Sequence, residues 1–550
     1  MPDPPPSARR PDGLVLPDLL QPEPFLGVDY HALAEVLGMA FLGRELGTQI
    51  HDHLARARVP PAGPGQGAFR PEFFAHDLFV RELLQECFGL TIDGRTYPVN
   101  VDFLFHVLTH CPTDPETVRF RQEIVQELED DSGLRRATYR LYRDLFDFLS
   151  LLKTPGYQSS LDTTGYHLDI LKQARLVIDS MESEFATARS GLRRLHEAAT
   201  ATQSEAPYRG LAQLLDYERG MARMTLDVVV GGDGRIRHFA VRDLEEARAN
   251  RNWVSPLRRF VQRLSLAYRG YPLSNRELMN KLVHEVFRQI SPSLIPLVQL
   301  LGHLEFYLCA RTFRDRARAA GLEVCLPRFV DADESMRLDG LFNPLLLAEP
   351  LPPVATELAP SGPRPVTLIT GPNSGGKTRL LQAIGLAQVL GQSGLYAPAR
   401  EARLRIQDGL FVSLIEEEGA HQTEGRLGRE LVRIRSLFEE LATRSMVILD
   451  ELCSGTNPSE GVEVFSMVLR LLRQVEPTAY VTTHFLDYAR SLQRSPVVDD
   501  LEFLQVEVTE DLRSTYQFVP GVAETSLAAV TAERLGVTFE SLAESIQRRR

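Results

Sequence analysis

Apolar residues recur at helical spacing from about Val101 to Leu152, again at about 165–200, and again at about 275–321. Thr113-Asp-Pro-Glu116 predicts a helix start, with Thr113 or Asp114 as cap, Pro115 in the first turn and Glu116 at the positive end. Residues 226–241 carry two apolar runs around Gly-Gly-Asp-Gly, the pattern of a β-hairpin. After Pro327 the chain turns loop-rich, and Pro352, Pro353, Pro360, Pro363 and Pro365 mark a domain boundary. Beyond it, short apolar runs at 365–370, 410–416, 446–450 and 478–482 alternate with helical segments. That alternation predicts a mostly parallel sheet with helices between its strands. Residues 1–25 are proline-rich and aperiodic and read as a flexible leader. Short helical and loop signals follow at 28–100, broken by PPAGPGQG at 60–67.

Composition narrows the class. The 550 residues are 43% hydrophobic and 24% charged, as in ordinary globular proteins of several domains. No apolar run approaches the ~18–20 residues that span a bilayer, and MPDPPPSARRPDG lacks a secretory apolar core. The expectation is a protein without membrane segments. Cys87, Cys111, Cys309, Cys325 and Cys453 show no metal-ligand spacing and read as free thiols in a reducing cytoplasm.

The net charge of −12 argues against a generally basic nucleic-acid coat. The average hides one anomaly. Residues 247–276 hold seven arginines and no acid, with Trp253, Phe260, Tyr268 and Tyr271 interleaved. Basic residues with aromatics suit phosphate contact plus base stacking, although a solvated helical face gives the same pattern. Arg251, Arg258, Arg259, Arg263 and Arg269 are therefore DNA-binding candidates. Only four of the 61 basic residues are lysines, and one of them is Lys377.

Lys377 belongs to Gly371-Pro-Asn-Ser-Gly-Gly-Lys-Thr378, which fits GxxxxGK[ST] between an apolar run and a periodic helix. Such a loop turns its backbone N–H groups around phosphate oxygens, and the helix adds its positive end. Gly371, Pro372, Asn373, Ser374, Gly375, Gly376, Lys377, Thr378 and Arg379 are the candidate ATP-binding residues. Lys377 would reach the β- and γ-phosphates, and Thr378 would ligate Mg²⁺. Met446-Val-Ile-Leu-Asp-Glu451 reads as a buried strand ending in two acids. Asp450 would share the Mg²⁺, and Glu451 would polarise the attacking water. His484, in Thr482-Thr-His484, would contact the γ-phosphate or the water. Lys377, Glu451 and His484 are thus the candidate catalytic residues.

These residues resemble the ATPase domain of the MutS DNA mismatch-repair proteins: GPNSGGKT, Tyr396-Ala-Pro-Ala399, LDELCSGT at 449–456, Glu460-Gly461 and TTHF at 482–485. The resemblance runs from about 335 to 540, through Glu524-Thr-Ser-Leu-Ala528. A weaker one covers about 101–325, where Cys111-Pro-Thr-Asp-Pro-Glu116 resembles the start of that family's core-and-lever region. The resemblance implies a homodimer with two composite ATP sites and long helices leading to a clamp on double-stranded or branched DNA. It implies slow ATP hydrolysis coupled to conformational change.

The expected fold is α plus α/β: a helical core-and-lever domain followed by a P-loop, ABC-type α/β ATPase domain. The expected order is a leader at 1–25, a region of unknown role at 26–100, and the helical domain at 101–325 with a candidate clamp insert at 206–275. The ATPase domain follows at 326–550, with a C-terminal helical dimerisation segment.

Three departures from the family stand out. A convincing Phe-x-Glu mismatch-reading motif and the domains that carry it are not seen before the core, and no small MutS-related nuclease domain is seen after it. The trans-acting signature loop, where the family has Ser-Thr-Phe before a Glu, reads Gly425-Arg-Leu-Gly-Arg-Glu430. Arg426 or Arg429 is a candidate arginine finger across the dimer, although both also suit pairing with Glu424 or Glu430 on a solvated helix face. Two other readings compete with the DNA clamp: an ATP-driven switch acting on a protein partner, and a transporter ATPase subunit, which lacks its LSGGQ-type signature here.

Overall fold

A computed structural model describes residues 14–41, 69–153, 163–220, 223–230, 236–245, 275–331, 333–360, 366–372, 374–414, 426–441, 444–453, 457–495, 501–509 and 513–524, with single positions 511, 538, 539, 542, 543 and 546. The chain divides into two compact units. One comprises residues 1–19, 24–57 and 130–303, and the other 20–23, 58–129 and 304–550. This division cuts across the expected borders at 101 and 326. The long helix Asn275–Ala319 contributes its first part to one unit and its last part to the other.

The first unit is mainly helical. Ser132–Lys153 and Thr163–Glu184 pack antiparallel. Tyr166 Oη donates to Leu151 O at 2.8 Å, and Gln173 Nε2 donates to Asp144 O at 2.9 Å. Leu141, Leu145, Phe148, Ile170, Ala174 and Val177 are buried, as the apolar spacing requires. The helical stretch expected at 165–200 is two helices, Thr163–Glu184 and Arg193–Ser204. Between them Phe185 and Leu192 are buried, and Ser190 Oγ accepts from Leu192 N at 3.3 Å. This local hydroxyl bond competes with the helical pattern. The expected hairpin is present as Arg223–Val230 paired antiparallel with Ile236–Glu245.

Residues 14–25 differ from the expected leader. Leu14, Leu16, Leu19 and Leu20 are buried, and the buried Asp18 carboxylate accepts from Phe25 N at 2.9 Å. His303 lies 3.5 Å from Asp18 and accepts from Leu19 N at 3.2 Å. Pro17, Pro22 and Pro24 keep the segment out of helix, and its leucines supply the apolar surface that ties it down.

In the second unit, the helix Pro115–Asp130 starts where expected, and its cap is Asp114, whose Oδ1 accepts from Thr117 N at 2.7 Å. The six-stranded sheet comprises β1 (Val366–Thr370), β2 (Gly409–Ser413), β3 (Ser445–Leu449), β4 (Thr478–Thr482), β5 (Leu501–Val508) and β6 (Ser514–Pro520). The order across it is β2-β3-β4-β1-β5-β6, with only the β5–β6 pair antiparallel. The helices α1 (Lys377–Gln392), α2 (Arg426–Glu440), α3 (Pro458–Val475) and α4 (Leu486–Arg494) lie between the strands in sequence. β1, β3 and β4 are buried at every position, which explains their unbroken apolar runs. A smaller sheet joins Arg328–Phe329, Glu401–Leu404, Arg337–Leu341 and Thr356–Leu358.

Two features tie the rest of this unit to the sheet. α1 is buried almost all round, so its polar residues find internal partners. Gln392 Nε2 donates to Pro112 O at 2.9 Å and to Gln407 O at 2.7 Å. The region around residues 69–100 packs against the same elements. Phe73 lies 4.6 Å from Phe411 between ring centroids, and a Cβ on Gly385 of α1 would meet Leu78 at 2.7 Å. The most apolar 18-residue stretch within Val283–Ala319 would be long enough to cross a bilayer, but it is buried inside the protein.

Candidate active site

The turn between β1 and α1 is shaped by close packing under its glycines. Gly371 has φ 141° and Gly376 has φ 86°, conformations that side chains rarely adopt. A Cβ on Gly371 or Gly375 would lie 2.6 or 2.8 Å from Val506 on β5, and one on Gly376 would lie 3.1 Å from the Tyr516 ring on β6. The loop therefore packs directly against β5 and β6 at the N-terminus of a 16-residue helix.

Lys377 is 3% exposed. Its Nζ donates to Gly371 O at 3.1 Å and to Pro372 O at 3.2 Å, and it lies 3.4 Å from Glu451 Oε1. A buried ammonium inside a ring of oxygens is a site ready to exchange those acceptors for phosphate oxygens. Thr378 Oγ1 donates to Asp450 Oδ2 at 2.5 Å. This hydroxyl–carboxylate pair, beside the loop, is the oxygen donor set that suits Mg²⁺.

The two acids sit just past the end of β3, at the carboxyl edge of the sheet. Asp450 N donates to Ser413 O of β2 at 2.9 Å. The Thr482 hydroxyl, on neighbouring β4, donates to Asp450 Oδ1 and accepts from Glu451 N at 2.7 Å. Burial pushes the Asp450 carboxyl above the usual carboxylate range, against the lowering effect of its bonds to Thr378 and Thr482. Glu451 and Cys453 adopt left-handed backbone, φ 45° and 61°. Non-glycine residues in this region concentrate at functional turns. Glu430 on α2 supports the turn by accepting from Cys453 N at 2.8 Å.

Beside the loop lies a cavity of about 390 Å³. It is walled by Phe342, Leu346, Val354, Leu380 and Phe518 and reaches Gly376, Arg379 and Tyr516. Its mostly apolar walls next to a phosphate loop suit the base of a nucleotide. Apart from Gly376 and Arg379, this cavity was not read from the sequence, because its walls come from α1, from the segment 341–356 and from β6.

Lys377, Thr378, Asp450 and Glu451 thus come together. Gly371, Pro372, Gly375 and Gly376 form the loop, Ser374 is exposed on it, and Arg379 lines the cavity. His484 is exposed two residues beyond Thr482, with its ring 4.1 Å from that of Phe485. Arg426 and Arg429 occupy the first turn of α2. Asn373 and the candidates Arg251, Arg258, Arg259, Arg263 and Arg269 lie outside the described residues. Thr482 and Glu430 were missed as site residues. Thr482 stood inside the Thr-Thr-His motif, but its role depends on β3 and β4 being neighbours.

A parallel sheet, a glycine loop closed around a buried lysine and a Thr–Asp pair at the strand ends define a P-loop ATPase domain. Residues 367–547 match the family model of MutS domain V. The C-terminal part of the chain is therefore a MutS-family ATPase domain. The chain is 31% identical to "Endonuclease MutS2" of Streptococcus uberis over 270 residues, which are 48% of this chain and 33% of that protein. It is 30% identical to the protein of that name from Streptococcus equi subsp. equi over 274 residues, 49% of this chain and 34% of the relative. The Thermus thermophilus "Endonuclease MutS2" is 35% identical over 183 residues, 32% of this chain and 24% of that protein. The chain spans about a third of the length of the first of these relatives.

Proposed function

We propose that the protein is an ATP-dependent DNA-binding switch of MutS type. ATP binding and hydrolysis change the state of a dimeric clamp on double-stranded or branched DNA, in repair or recombination. The observation that carries the ATP-dependent part of this reading is the buried Lys377 ammonium between the loop carbonyls and Glu451, and the DNA part is supported by the match to MutS domain V.

The residues divide the work as their chemistry allows. Lys377 gives up Gly371 O and Pro372 O for the β- and γ-phosphates. The nucleotide base enters the apolar cavity. Mg²⁺, when bound, would be held by Thr378 and Asp450 and would neutralise phosphate charge. Glu451, anchored through its own N–H to Thr482, orients and polarises the attacking water. His484 lies beyond the same strand end and contacts the γ-phosphate or that water. Arg426 or Arg429 serves the partner's site in a homodimer. Arg251, Arg258, Arg259, Arg263 and Arg269 contact DNA phosphates.

Phosphate release should be measured with and without duplex and branched DNA, beside Lys377→Ala. Turnover that DNA stimulates and Lys377→Ala abolishes is the expected result. Failure of the wild-type protein to turn over ATP overturns the enzymatic reading. Turnover indifferent to DNA, with no salt-dependent DNA binding, favours a switch acting on a protein partner, the reading that the net charge of −12 supports.

A further inference from the structure

The Asp77 carboxylate is buried, 4% exposed at its side chain, yet it lies far from every motif in the sequence. Its Oδ2 accepts from Leu414 N at 2.7 Å and from Arg433 Nη2 at 3.2 Å, and its Oδ1 lies 3.4 Å from His76 Nδ1. Leu414 is the first residue after β2, and Arg433 lies on α2. Asp77 therefore fixes the end of β2 and the body of α2 to one point. Both elements lead directly to the hydrolytic acids. Ser413, beside Leu414, supplies the carbonyl that accepts from Asp450 N. Glu430, three residues before Arg433, accepts from Cys453 N in the turn that carries Glu451. A buried carboxylate is costly to desolvate, and here that cost is offset by a backbone N–H and a guanidinium.

We propose that Asp77 is a positioning residue for ATP hydrolysis, setting Glu451 through β2 and through Arg433, α2 and Glu430. The inference rests on the ATPase reading above. It assigns a task to the segment before residue 100, for which the sequence offered none. A general base must stand within hydrogen-bond reach of its water, so a small shift of the turn lowers turnover more than nucleotide binding.

The test is ATP turnover by Asp77→Asn in the full chain, with the dissociation constant of a fluorescent ATP analogue measured beside it. Asparagine keeps an acceptor for Leu414 N and loses the charge that holds Arg433. The expected result is a kcat lower by about tenfold, equivalent to ~1.4 kcal/mol in the barrier, with analogue affinity within about twofold of wild type. Glu430→Ala, which removes the acceptor for Cys453 N, should lower kcat in the same way, and the double variant should fall no further than the lower single variant. If Asp77→Asn does not fold, Arg433→Gln, changed at the more exposed partner, gives the same test. Wild-type kcat in a folded Asp77→Asn or Arg433→Gln protein, or fully additive losses in the double variant, overturns the inference. Those outcomes differ from failure of the ATPase reading, which shows as no Lys377-dependent turnover in the wild-type chain.

Discussion

Two buried threonines on neighbouring strands provide a matched test of what the site's hydrogen bonds contribute. Thr482 on β4 and Thr367 on β1 are both 0% exposed. The Thr482 hydroxyl donates to Asp450 and accepts from Glu451 N. Among the described residues the buried Thr367 hydroxyl has no hydrogen-bond partner. Valine matches threonine in shape and suits a strand at both positions. In Thr482→Val a bond to a charged group is lost, ~1.5–3 kcal/mol, and the Glu451 N–H loses its acceptor, ~1–3 kcal/mol. The extra buried methyl returns part of this, leaving a net cost of about 3 kcal/mol. In Thr367→Val an unpaired buried hydroxyl is replaced by a methyl group, so stability should be unchanged or higher by about 1 kcal/mol. Urea unfolding of both variants, followed by a probe in the ATPase domain, measures the difference. Equal losses in the two variants would refute the argument, because shape and strand propensity alone would then account for both. If Asp450 holds Mg²⁺ as proposed, Thr482→Val should also weaken activation by Mg²⁺, since Asp450 loses the Thr482 hydroxyl.

Two further outcomes follow from single residues elsewhere in the second unit. Gly394, just past the end of α1, has φ 85°, and its N–H and that of Leu395 close the helix by donating to Gly391 O and Leu390 O, both at 3.0 Å. A Cβ there would lie 2.5 Å from the Arg121 Cβ, so Gly394→Ala should cost about 2–4 kcal/mol from strain and overpacking, read as a lowered thermal midpoint. His106 is pushed down to about 4 by burial and by neighbouring His110. The unfolded chain takes up its proton near pH 6.5 while the folded chain does not, so stability falls as pH drops from about 6.5 through about 4. After allowance for its partial exposure, the loss is about 1–2 kcal/mol, and it should disappear from the urea midpoints of His106→Gln.

What the sequence revealed follows the range of the interactions involved. The strands before and after Lys377 were legible because a buried parallel strand is an unbroken apolar run, and its length is set locally. The phosphate loop was legible because its glycines, lysine and threonine are consecutive. The packed leucines of residues 14–25 were hidden behind proline content, which reports backbone stiffness and not burial. The break near residue 190 was hidden because the helical period continues on both sides of it. Asp77 carried no signal at all, since 337 residues separate it from Leu414. The cavity beside the loop is assembled from segments on both sides of the motif, and no spacing rule links Phe342 to Phe518.

The place of β5 against the phosphate loop has a consequence for synthesis of the chain. Thr370, at the loop's edge, donates to Leu504, 134 residues further on, and Val506 packs under Gly371 and Gly375. β1 lies between β4 and β5, both of which come later in the sequence. At roughly 5–20 residues per second, several seconds of translation separate the making of the loop from the making of its floor. For most of that interval β1 has neither of its final neighbours, since β4 is completed only shortly before β5. The phosphate loop is therefore made before the strand that it rests on, and the apolar faces of β1 and α1 await β4 and β5, which makes them surfaces for a ribosome-associated chaperone to shield.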